Sequence, residues 1–254
     1  MELYFRIVFF ILGCAMGSFF HVVATRMSNE ESIIKPGSHC HVCNKKLKWY
    51  ELIPVISFVI QGGKSRCCKQ KLPISYVLVE VITGSLFSVA YHVFKITPDL
   101  LINLIFISGL IIVIISDIEY MIILDEILIL SSILIIITKL IFLGFEPTLI
   151  SLGHAIGAFI LMYVVKLIGD FIFKKESLGG GDIKLMFLFG LVIGFPISVV
   201  SIFFATFIAF PIALYVLIRR KDNMIPFGPF LSIASIILLI SKINLNDIIN
   251  FIIS

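Results

Sequence analysis

Two aspartates stand where an apolar chain has little reason to keep a charge. Asp117 lies in the run Ser116–Tyr120 (SDIEY) and Asp182 in Leu178–Lys184 (LGGGDIK), each at the end of a long hydrophobic segment. A carboxylate at such a place is costly unless it faces water or a partner, so it marks a functional site by default. Two carboxylates that meet cannot both ionise cheaply, and one keeps a proton near neutral pH. The pair then supplies a general base to activate water and a general acid to protonate a leaving amine. Peptide hydrolysis by such a dyad needs neither a metal nor a covalent intermediate. Gly179, Gly180 and Gly181 are expected to form the active-site loop. Without side chains they let an extended substrate backbone come close, and they permit dihedrals that other residues resist. A glycine-rich loop can also line the water-filled cavity that irregular backbone near a membrane requires. A lone aspartate at a helix end is more often a cap or a solvated charge, and Glu119, Asp125, Glu126 and Asp170 read that way.

The second constellation is made of thiols. Of five cysteines, Cys14 lies in the first apolar run, while Cys40, Cys43, Cys67 and Cys68 share one polar loop. Crowding of this kind favours a metal over a disulfide framework when the loop is cytosolic. The plain alternative is a set of reduced structural thiols beneath a basic loop facing the membrane.

The elements that must position these groups follow from composition. The chain has 254 residues, 59% of them hydrophobic and 14% charged, with a mean hydropathy of +1.13. Soluble domains carry about 25% charged residues, so this is a polytopic α-helical membrane protein. Eight apolar runs approach the roughly 20 residues a bilayer crossing needs. They are Tyr4 to Ala24, Ile74 to Phe94, Leu100 to Ser116, Ile127 to Gly144, Thr148 to Phe173, Ile183 to Phe195, Ile197 to Ile218 and Phe227 to Ile240. The first run is too long for a removable signal peptide and has no small-residue cleavage pattern after it.

The division expected is a first helix at 1–24, a basic cysteine-containing loop subdomain at 25–73, and a membrane core at 74–254. The loop holds nine Lys/Arg against Glu30, Glu31 and Glu51, and the alternate loops on its side hold fifteen of the twenty basic residues. Positive charge marks the cytoplasmic face. Asp117 and Asp182 therefore share that face at similar depth, and both termini lie outside. A net charge of +4 is too small to imply nucleic acid. His92 and His154 lie in spans and read as packing or polar helix contacts. Glu80 must face a bundle interior, near the aspartates or the first loop.

In order along the chain, six segments resemble those of the prepilin peptidases, or type IV leader peptidases, which are membrane aspartyl proteases of the GxGD type. They are GSFFHVVATR at Gly17–Arg26, LIPVISF at Leu52–Phe58, ISYVLVEVITG at Ile74–Gly84, DIEYMIILDE at Asp117–Glu126, GGGDIKLM at Gly179–Met186 and IPFGPFLSIAS at Ile225–Ser235. The resemblance implies catalysis by Asp117 and Asp182, with Asp125 at the family's non-catalytic aspartate. Leu124 stands where the family has proline, and His21 where it usually has asparagine. The resemblance also implies a zinc site completed by a second CxxC. Four thiolates at such spacing bind zinc tetrahedrally. Aligned on Gly63-Lys64, the second pair here has Ser65 at the third cysteine and Cys68 at the fourth, with Cys67 as an extra neighbour; Cys67, His39 or His41 is left to complete the set.

The function implied is removal of a short basic leader from type IV prepilin or pseudopilin-like precursors, on the cytoplasmic side of the inner membrane. N-methylation of the new N-terminus with S-adenosylmethionine is implied by resemblance alone, for no G-x-G-x-x-G follows a strand. The basic loop is expected to dock on anionic lipid headgroups, and a basic leader on Glu119, Asp125 or Glu126. An ion-coupled transporter with paired carboxylates is the alternative, though no repeat of the kind transporters show is visible. A non-enzymatic scaffold using the cysteine loop is a third reading.

Overall fold

The computed structural model describes residues 1–40, 42–219 and 225–243. Among them the regular structure is helical, with no strand beyond two isolated bridges in the cysteine loop. The α-helices are α1 (Glu2–Ser28), α2 (Ile56–Ile60), α3 (Ile74–Phe94), α4 (Pro98–Tyr120), α5 (Asp125–Phe142), α6 (Phe145–Phe173), α7 (Gly180–Ile193), α8 (Phe195–Arg219) and α9 (Gly228–Ser241). Apolar runs fold this way because only a helix satisfies every backbone group without water. Five of them, α1, α3, α4, α6 and α8, are long and apolar enough to cross a membrane. The helix α5 carries Asp125, Glu126 and Lys139, and α7 and α9 have 14 residues each. Of the basic residues used for orientation, Arg220 and Lys221 lie outside the described residues, as does His41.

The chain forms two compact units, Met1–Ile96 and Thr97–Ser254. The first takes in α3 as well as α1 and the polar segment between them. Gly13 and Gly17 form a G-x-x-x-G step on α1, and their lack of side chains lets α3 approach. A Cβ at Gly13 would stand 2.7 Å from the Gly84 Cα, and one at Gly17 would stand 2.8 Å from Thr83 Oγ1. Stacked Phe9 and Tyr91 rings, 5.0 Å apart, close the same seam. Glu80 is buried in α3 and accepts the Val55 N–H at 2.7 Å, so this membrane carboxylate serves the first loop. It clamps a strained turn: Val55 has φ 61° and ψ −54°, and the Ile56 N–H bonds to Pro54 O. Positive φ is an outlier for a β-branched residue.

In the second unit α4, α7 and α9 are the most deeply buried elements. Phe106 of α4 meets Phe189 of α7 edge to face at 5.9 Å. Gly109 of α4 leaves room for Ser131 of α5, and Gly190 of α7 leaves room for the backbone of His154 and Ala155 in α6. Lys139 of α5 is only 8% exposed. Its ammonium donates to Ser151 Oγ of α6 and to the Leu191 carbonyl near the end of α7, both at 2.7 Å. A cation there meets the carbonyls that a helix C-terminus leaves unpaired, so Lys139 ties three helices together.

Candidate active site

Asp117 sits in the last turn of α4, and Asp182 in the first turn of α7. Both expected loops are thus shorter than the polar sequence suggested. α4 runs on to Tyr120 and stops at Met121, whose left-handed conformation (φ 56°, ψ 37°) lets its N–H return to Asp117 O. The glycines need correction too. Gly180 and Gly181 are the first residues of α7, and Gly179 precedes it with φ −66°, so none of the three uses the positive-φ freedom assigned to them. What Gly181 supplies is space: a Cβ there would lie 2.6 Å from Ile123 Cβ.

Asp117 and Asp182 are each 6% exposed, and Asp182 feels the charge of Asp117. Asp182 Oδ1 is buried with no hydrogen-bond partner from the protein among the described residues. The carboxylate of Asp117 lies against the start of α9, where a Cβ on Gly228 would stand 2.6 Å from Asp117 Oδ2. Ile123, in the 121–124 connection, touches the spaces beside both Gly181 and Gly228. The other acids fall outside the dyad. Asp125 pairs with Lys184. Asp170 accepts the Ser177 N–H and hydroxyl at 2.6 and 2.8 Å, which pins the segment before α7.

In the first unit Cys40, Cys43, Cys67 and Cys68 form one cluster, with all four Sγ atoms within 4.8 Å of one another. The Cys43–Cys67, Cys40–Cys68 and Cys67–Cys68 separations are 3.1, 3.7 and 3.9 Å. A tetrahedron with Zn–S bonds of about 2.3 Å has edges of about 3.8 Å; two of these separations match it and Cys43–Cys67 is shorter, so four thiols of the right type are gathered at about the spacing a zinc ion takes. The amides of Cys43 and Val42 hold the Cys40 thiol down at about 5, toward the metal-binding thiolate. A hydrogen bond to Cys67 pushes Cys43 up to about 11. His39 instead turns to the Gly37 carbonyl.

The loop is built from two similar knuckles. Cys40 N–H bonds to Lys45 O and Asn44 N–H to Cys40 O; likewise Ser65 N–H bonds to Gln70 O and Lys69 N–H to Ser65 O. Asn44 and Lys69 both take positive φ, and bridges join His39 to Lys46 and Lys64 to Lys71. Ser65 therefore occupies the backbone position of Cys40, and Cys67 brings its sulfur in from two residues along, 2.9 Å from Ser65 Oγ.

Comparison with known proteins follows the same division. Residues 11–94 match the bacterial peptidase A24 N-terminal domain, and residues 104–214 match the type IV leader peptidase family. The chain is 34% identical over 236 residues to the prepilin leader peptidase/N-methyltransferase of Bacillus subtilis, covering 91% of this chain and 92% of that one. It belongs to the type IV leader peptidase family. Relatives with the same name include those of Vibrio cholerae, 29% identical over 258 aligned residues (95% and 98% covered), and Klebsiella pneumoniae, 31% over 195 (73% and 83%). No solved structure matches the chain significantly.

Within this leader peptidase, sequence reasoning passed over Ile123 and gave Gly228 no role. Both lay inside quoted segments, Asp117–Glu126 and Ile225–Ser235. Their contacts depend on residues far away in sequence, which no spacing reveals.

Proposed function

We propose that this leader peptidase is an aspartyl endopeptidase that removes short basic leaders from type IV prepilin or pseudopilin-like precursors. What supports the reading is a pair of buried carboxylates, Asp117 and Asp182, at helix ends of the same unit, close enough for the charge of Asp117 to act on Asp182. One carboxylate takes a proton from water as the water attacks the scissile carbonyl, and the other returns a proton to the leaving amine. Such precursors have an apolar N-terminal helix with the scissile bond at its cytoplasmic end. Eight spans with the basic loop in the cytoplasm would bring the dyad to that depth at the inner membrane. The excess of basic residues on those loops supports this orientation. Exposed Glu119 and Glu126 would receive the basic leader, while Asp125 is engaged by Lys184. The matched families and the relatives named above are leader peptidases, so they lend the transporter alternative no support.

Zinc would be held by Cys40, Cys43, Cys67 and Cys68, where it would cross-link the two knuckles of a cytoplasmic subdomain. The relatives' names also carry an N-methyltransferase; S-adenosylmethionine is the methyl donor this implies. Glu80, the one buried carboxylate among the described residues of the first unit, is committed to the Val55 amide. That leaves no second buried acid to hold the donor, and no methyl-transfer step is assigned to these residues.

The test is cleavage of a purified prepilin by Asp117→Asn and Asp182→Asn proteins. Each change keeps the side-chain shape and removes ionisation, so each should lower kcat by about 10²–10⁴-fold, the usual share of positioned acid–base catalysis. Asp125→Asn and Asp170→Asn should keep most activity. Full cleavage by either dyad variant would sink the assignment.

A further inference from the structure

The start of α9 reaches Asp117 from outside the two helices that carry the aspartates. A Cβ built on Gly228 would lie 2.6 Å from Asp117 Oδ2 and 3.1 Å from Ile123 Cδ1. The first distance is one real Cβ atoms do not adopt, so any side chain at 228 displaces the carboxylate. Gly228 is buried. As the first residue of α9, its amide lies among the donors that a helix leaves without an internal partner, with Asp117 Oδ2 beside it. Pro229 follows and offers no competing N–H. A separate observation joins α9 to the other aspartate. Ile123 presses against the space beside Gly181, next to Asp182, as well as the space beside Gly228.

We propose that Gly228 is a positioning residue of the peptidase site, whose amide fixes the Asp117 carboxylate and whose missing side chain leaves that carboxylate in place. The inference rests on the reading of Asp117 as catalytic. It makes the Ile225–Ser235 segment a third component of the site, beside the two that carry the aspartates. A carboxylate free to rotate would still bind substrate but would meet the attacking water in fewer productive geometries, a loss seen in kcat.

A backbone ester at position 228, made by cell-free translation with glycolic acid into lipid nanodiscs, deletes the N–H and adds no atom that could clash. With a purified type IV prepilin as substrate, kcat should fall by roughly 10–100-fold while KM stays within about twofold. Gly228→Ala should lose roughly 100-fold or more in kcat, because it both pushes and unhooks the carboxylate. Adding Ile123→Val removes the Cδ1 contact but not the carboxylate contact, so Gly228→Ala/Ile123→Val should stay inactive. Wild-type kcat in the ester protein overturns the proposal even if Gly228→Ala fails to fold. Recovery of activity in the double variant overturns it too, since the glycine would then serve only packing against Ile123. Asp117→Asn is assayed alongside. An inactive Asp117→Asn with a fully active ester protein refutes the role of Gly228 alone. An active Asp117→Asn refutes the catalytic reading on which that role rests.

Discussion

Single residues carry most of what can be tested. The aspartates were legible because a charge is conspicuous in a chain that is 59% hydrophobic; the lack of a side chain at Gly228 signals nothing until its neighbours are known. The cysteine loop shows the same contrast. Four thiols were visible, and so was Ser65 at the place of a third cysteine, but which group completes the set was not, since that rests on where the folded loop brings the Cys67 sulfur. With Ser65 at the position matching Cys40, and Cys67 reaching in from two residues along, the ligand can be moved. Cys67→Ser should release zinc, and Ser65→Cys added to it should restore a full complement, because the new sulfur enters at the matching backbone position. Metal content of the purified proteins, measured by mass spectrometry, checks this. Unchanged zinc in Cys67→Ser would show that this thiol is not a ligand. Binding of a structural metal is folding free energy for so small a loop, so proteolysis of the loop should follow metal loss.

At the scale of elements, the apolar runs read as spans are helical wherever they are described, but their ends moved. Three successive glycines argued for a loop because glycine is a poor helix former. Two of them nonetheless open α7, with Asp182 in the first turn, where a carboxylate suits the positive end of the helix. Close approach to Ile123 then explains Gly181 better than dihedral freedom does. The seam between α1 and α3 is set by similar economy of space. Gly13→Ala would force a Cβ to within 2.7 Å of both Gly84 Cα and Thr83 O, and should destabilise the first unit by about 1–3 kcal/mol, as overpacking does. Gly153→Ala, on α6 with nothing within 4 Å, should be neutral or stabilising by up to about 1 kcal/mol. Thermal unfolding in detergent separates the two; equal shifts would argue against the seam.

For the whole molecule, the asymmetry of positive charge makes a directional forecast. A cysteine introduced at Lys45 should resist an impermeant thiol reagent in intact cells, whereas one at Pro98 or Pro147 should be modified. The reverse pattern would invert the orientation and with it the side on which leaders are cut. Charge bias is read from sequence at once; depth is not, and here the length of α7 matters. At about 1.5 Å per residue its 14 residues extend only about 21 Å, against a hydrocarbon core of about 30 Å. Crossing the bilayer, as the eight-span reading has it, the helix bearing Asp182 would be mismatched to it, and lipid would thin around it or water would fill the gap at one end. A gap at the end that holds the dyad would keep the aspartates wet. Turnover in reconstituted vesicles should then rise with short-chain phosphatidylcholines and fall with long-chain ones, because thicker lipid would bury the scissile bond beyond the reach of water. Turnover indifferent to acyl length would show that protein alone keeps the aspartates wet.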